Sequence, residues 1–104
     1  MKTPELVRVC AVDEIPAGEA RPYTVEGYDL AIFNTGEEIY AIENRCPHMG
    51  AELSDGEIVK NSVCCADHGW LIDLETGEVE NRDGIQVATF PVVVENGEIL
   101  VQLA

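Results

Sequence analysis

The chain has 104 residues, enough for one compact domain with a modest core and no need of disulfide staples. Its 20 acidic residues against 6 basic ones leave a formal net charge of -14, which excludes a nucleic-acid binder because a phosphate backbone would be repelled. No stretch approaches the roughly 20 apolar residues of a membrane-spanning helix, and the opening Met1-Lys2-Thr3-Pro4-Glu5-Leu6-Val7-Arg8 has no apolar secretory core, so a cytoplasmic protein without a membrane partner is expected.

In chain order, alternation predicts a first strand over residues 6–10, followed by the only expected helical turn, over 12–15, which Pro16 and Gly18 end. Residues 28–33 and 38–42 flank Asn34-Thr35-Gly36-Glu37 and read as a hairpin. Short strands are predicted over 57–59, 62–64 and 70–73, punctuated by Asp55-Gly56, Lys60-Asn61 and Thr76-Gly77. A last hairpin joins 90–95 to 98–102 across Asn96-Gly97, a strong signal for a two-residue turn. The expected fold is all-β, made of small packed antiparallel sheets or a partly open barrel, in a single domain over 1–104.

Two short boxes interrupt this scaffold at strand ends. One reads Cys46-Pro47-His48-Met49-Gly50 and the other Cys65-Ala66-Asp67-His68-Gly69, so the chain's only two histidines each stand close behind a cysteine. Two thiolates and two imidazoles in matched pairs form the donor set of a 2Fe-2S cluster with mixed ligation. A structural zinc ion takes the same Cys2His2 set and remains the chemical alternative, although zinc modules usually bring Cys-x(2–4)-Cys knuckles rather than Cys-x-His. Cys10 and Cys64 are left over and read as ordinary buried thiols. Cys64 standing in for Cys65 as the ligand stays open at this point. If the strand continues, the two neighbouring side chains face opposite ways.

Residues 46–56 and 65–78 together resemble a bacterial Rieske-type ferredoxin, and the similarity extends diffusely over nearly the whole length. The resemblance implies a Rieske-type fold with a two-loop cluster-binding tip and one 2Fe-2S cluster. Cys46 and Cys65 would hold the inner iron, and His48 and His68 the outer, solvent-side iron. Two departures stand out: Ala66 where such ferredoxins usually have proline, and Ile72 where they usually have an aromatic residue. In relatives a third loop covers the cluster, and residues 80–85 are the counterpart here, without a proline.

With two ferric ions, two sulfides, two thiolates and two neutral imidazoles the oxidised centre is neutral. An electron therefore enters more easily than in an all-thiolate cluster, and potentials of about −150 to +300 mV replace about −400 mV. The low end of that range is expected. Members of the high-potential respiratory type carry an extra cysteine in each loop, forming a disulfide, and a serine after the second histidine; Met49-Gly50-Ala51, Ala66-Asp67 and Trp70 stand at those places. The potential should also fall at alkaline pH, since iron-bound imidazole keeps an acidic N–H whose loss favours the oxidised state.

No nucleophile with an adjacent base and no phosphate-binding glycine loop is present, so the expectation is an electron carrier and not an enzyme. The resemblance implies a flavin-containing ferredoxin reductase and a terminal oxygenase, such as an aromatic-ring-hydroxylating dioxygenase, as partners docking transiently near His48 and His68. Small subunits of assimilatory nitrite reductases are similar over residues 70–78 and 90–97 and give a second reading; a zinc-holding interaction module of the same fold gives a third.

Overall fold

The structure is a computed structural model and describes residues 6–47, 50–65, 70–80 and 84–103. Among the described residues ten strands form three small antiparallel sheets, and these do not close into a barrel. Strand β1 (Leu6–Ala11) leads through a 3-10 turn at Val12–Glu14 to β2 (Glu19–Val25), β3 (Tyr28–Asn34) and β4 (Ile39–Glu43). A second 3-10 turn, Leu53–Asp55, precedes β5 (Glu57–Val59), β6 (Ser62–Cys64) and β7 (Leu71–Asp73); β8 (Thr89–Phe90), β9 (Val92–Glu95) and β10 (Glu98–Gln102) complete the chain. The sheet orders are β1-β10-β9, β2-β3-β4-β8 and β5-β6-β7. Among the described residues no helix is long and apolar enough to cross a membrane.

The four-stranded sheet lies in the middle, and β3 shows why. Leu30 and Ile32 point into one core with Cys10, Ile15, Ala41, Ile99 and Val101, while Ala31 and Phe33 point into the other with Ile42 and both box cysteines. Successive strand side chains alternate faces, so a run of four apolar residues is what a strand covered on both sides requires. One core joins the central sheet to the β1-β10-β9 sheet, and the other joins it to the β5-β6-β7 sheet.

Everything between β4 and β8 is an insertion into the central sheet. Its two ends meet: the Glu43 N–H donates to the Ala88 carbonyl at 2.9 Å, and Ile42 pairs with Thr89. The insertion contains both boxes and the whole β5-β6-β7 sheet.

Three details depart from the sequence expectations. Strand β2 is an edge strand that tolerates Pro22, whose missing N–H costs no ladder bond on the open side. It joins β3 through Glu26 and Gly27, with φ values of 49° and 84°, the left-handed pair that a two-residue hairpin turn demands. The Leu53–Asp55 turn adds a second helical turn to the one expected over 12–15. Finally, Pro91 splits the strand expected over 90–95: Phe90 pairs into the central sheet and Val92 into the outer one.

A tight crossing fixes the far end of the insertion. Gly77, at φ +81°, lies so close to Val87 that an added Cβ would stand 2.2 Å from the Val87 carbonyl oxygen. Gly77→Ala is expected to lower stability by about 2–4 kcal/mol, combining left-handed strain with a displaced backbone segment, as measured by urea denaturation.

Candidate metal centre

The strand alternation continues past β4 into the first box. From Glu43 to Pro47 exposure alternates outward, inward, outward, inward, outward, placing Asn44 and Cys46 on the same inward side as Ile42. Cys46 is therefore buried, at 1% exposure, although it lies beyond the last strand residue. The same rule operates in the second box. Val63 and Cys65 face inward, Cys64 between them is half-buried, and Cys65 is 2% exposed. Trp70, Ile72 and Leu74 continue that inward parity on the return strand.

Cys46 and Cys65 belong to one cluster of buried side chains, with Phe33, Leu53, Val63 and Trp70 around them. Parity thus selects Cys65 and not Cys64 to share an interior with Cys46. The Cys64 sulfur instead lies 3.9 Å from the Cys65 carbonyl oxygen. Cys10 is in the other core; burial, the largest influence, raises its thiol pKa and keeps it protonated.

The loops behind the cysteines are closed in the same way. The Cys46 N–H donates to the Ala51 carbonyl at 2.7 Å, and the Cys65 N–H to the Trp70 carbonyl at 2.8 Å. In both, donor and acceptor are five positions apart, so each cysteine heads a loop whose neck is tied by its own amide. In the first loop the Gly50 N–H also returns to the Cys46 carbonyl at 2.8 Å, with Gly50 at φ +75°, where a side chain would be strained. His48, Met49, and the stretch 66–69 with Ala66, His68 and Gly69 lie outside the described residues, as do 81–83 of the third-loop counterpart.

Two buried sulfurs on matched, tied loops fit the inner side of a mixed-ligand cluster, because a metal-bound thiolate needs a dry setting and backbone fixed on either side. Trp70, 8% exposed, packs among these side chains as core rather than as a surface contact. Ile72 is fully buried in the same core and takes the place of the aromatic residue usual in similar ferredoxins.

A groove of about 750 Å³ opens beside the first loop. Among the described residues, Asp29, Glu43 and Glu52 line it against one cation, Arg45, with Tyr28 and Phe90 in edge-to-face contact, ring centroids 5.8 Å apart. The acidic excess of the whole chain was evident from its composition, but not this groove, which β2, β3 and the insertion create jointly.

The Rieske [2Fe-2S] domain model matches residues 5–91. The ferredoxin component of the naphthalene 1,2-dioxygenase system of Pseudomonas aeruginosa is 33% identical over 103 residues, covering 98% of this chain and 99% of that protein. Among solved structures, a complex of reduced oxygenase and oxidized ferredoxin in carbazole 1,9a-dioxygenase contains a chain with TM-score 0.84 and 28% identity, covering 96% of this chain and 94% of that one. A Mycobacterium tuberculosis protein described as the small subunit of an NADH-dependent nitrite reductase superposes with TM-score 0.90 over 99% of this chain and 98% of its own, but at 21% identity that likeness shows the fold alone. Buried cysteines heading twin loops and a family match over most of the length lead to one conclusion: the chain belongs to the Rieske [2Fe-2S] family, its cofactor is a Rieske cluster, and it is an electron carrier rather than a catalyst.

Proposed function

We propose that this chain passes single electrons from a flavin-containing reductase to a terminal oxygenase of the aromatic-ring-hydroxylating type, using Cys46, His48, Cys65 and His68 as the cluster's ligands. The observation that carries the ligand assignment is the shared burial of Cys46 and Cys65 at the heads of two loops with the same amide closure. When bound, the cluster supplies a one-electron couple. The protein around it keeps water from the sulfur side through Phe33, Leu53, Val63 and Trp70, and fixes the backbone that carries each cysteine.

The oxygenase assignment draws on the relatives: one is a dioxygenase ferredoxin similar end to end, and another is a ferredoxin held in a complex with its oxygenase. Partners dock transiently near His48 and His68, and the acidic groove beside the first loop favours basic residues on the partner. The whole of 1–104 acts as one domain: β9 and β10, which lie beyond the matched segment, complete the sheet that β1 begins. It works in the cytoplasm, where Cys10 and Cys64 remain thiols.

A low-potential couple is expected. No sulfur partner stands in the first loop to tie it to the second, and the field of the insertion is acidic. One carboxylate about 10 Å away in water-like dielectric disfavours the added electron by ~0.4 kcal/mol, or ~17 mV, so only near carboxylates weigh. Potentiometric titration followed by EPR tests both parts together. The expected outcome is a mixed cysteine and histidine signal and a midpoint below about 0 mV, toward the low end of the Rieske range. A midpoint well above 100 mV would refute the low-potential reading, and a zinc-loaded, colourless protein would refute the cluster reading while leaving the four ligands in place.

A further inference from the structure

Asn44 is one of two buried polar residues among those described, at 7% exposure, and it bonds to two other chain segments, β3 and the stretch 52–54. Its backbone N–H donates to the Asp29 carbonyl on β3 at 2.9 Å. Its side-chain oxygen accepts the Ser54 N–H at 2.8 Å, and its side-chain nitrogen donates to the Glu52 carboxylate at 3.3 Å. The first loop leaves the scaffold just after Asn44 and returns just before Glu52. The amide therefore spans the base of the loop, one step below the bond between the Cys46 N–H and the Ala51 carbonyl.

A primary amide suits this position because it offers a donor and an acceptor from one planar group. A carboxylate could keep the Ser54 N–H but would present only acceptors to Glu52; an apolar side chain would leave a backbone N–H without its partner. Asn44 also shares the inward parity of Cys46, two positions on, so a shift of its side chain is transmitted along one extended backbone segment to the sulfur. The bond at the loop neck closes the loop on itself. It does not set where the loop sits on the central sheet, and among the bonds described that task falls to the Asp29, Glu52 and Ser54 contacts.

We propose that Asn44 is a positioning residue for the cluster: by bridging the base of the first loop to β3, Glu52 and Ser54, it holds Cys46 at the depth at which it and Cys65 serve the same metal. The proposal rests on the ligand reading given above.

The test uses the holoprotein as purified, with Asn44→Asp, the double variant Asn44→Asp with Glu52→Gln, and Glu52→Ala. In the double variant the glutamine nitrogen donates to the new carboxylate, which restores the bond with its polarity reversed. Three readouts are taken: EPR g-values after dithionite reduction, half-life of the visible absorption under a chelator, and melting temperature. Asn44→Asp is expected to shorten cluster half-life about tenfold and to shift the g-values, with the double variant returning both to near the parent. A merely structural role would lower melting temperature while leaving the g-values and half-life unchanged, and that result would overturn the proposal. So would a defect that the double variant fails to reverse. Should Asn44→Asp give no folded protein, Glu52→Ala decides, since Glu52 is exposed: about a threefold shorter half-life supports the proposal, and a parental half-life overturns it. A parent that lacks iron or mixed-ligand EPR would refute the ligand reading, a result separate from parental behaviour in the Asn44 variants.

Discussion

Cys65→Ser is expected to yield a colourless protein whose iron content falls from about two atoms per chain to less than about a tenth of that. Serine keeps the shape but replaces a soft, easily ionised sulfur with a hydroxyl that binds iron poorly in this setting. The position is 2% exposed among apolar side chains, so the more polar hydroxyl is also less suited to its surroundings than the sulfur it replaces. Cys64→Ser supplies the contrast. Its side chain is half-buried and lies on the opposite face of the strand, so the variant should stay brown and keep its iron. Iron analysis with visible spectroscopy on both proteins settles the pair, and loss of iron in Cys64→Ser with retention in Cys65→Ser would reverse the ligand assignment.

Phe33→Ala carries the second large effect. Phe33 is fully buried in the core that contains Cys46 and Cys65, and truncating such a ring costs about 3–5 kcal/mol out of a typical 5–15. Leu30→Ala, on the same strand but facing the other core, removes about 2–5 kcal/mol. Denaturant unfolding should show both losses. Visible and EPR spectra should separate them, because only Phe33 lies beneath the cysteines. Phe33→Ala is expected to release its cluster faster than Leu30→Ala at matched stability. Equal release rates would mean that the two cores do not act independently.

Much of this was legible in the chain itself. The histidines are only two, each stands behind a cysteine, and that coincidence of rare residue types outweighs any propensity. The last hairpin announced itself at Asn96-Gly97, whose φ values of 53° and 76° are the left-handed pair expected of that dipeptide. Strand β2 stayed hidden because Glu19, Arg21 and Pro22 belong to an edge, where burial is slight and alternation gives no signal. The Glu26-Gly27 turn was the available clue to it. Pro91 looked like a residue within a strand, whereas it is where the chain changes sheets. Which of Cys64 and Cys65 faces the core depended on register, which neighbouring cysteines cannot reveal. Asn44 was invisible for a related reason: an asparagine near a loop reads as a turn former until its two bonds across the loop base are seen.

The hydrogen bond between Glu43 and Ala88 has a consequence for how such a carrier can be rebuilt. Because the insertion leaves and rejoins the central sheet at one point, the redox part of the chain is a cartridge on a two-sheet chassis. Its departure and return strands are already neighbours, so a short turn could replace it and leave β4 paired with β8, giving a cluster-free miniature. In the reverse direction, a cartridge from a relative of different potential could be spliced in at these two positions. Redox tuning and chassis stability could then vary separately, with their main point of contact at Phe33 and Ile42, where the central sheet meets the inserted core.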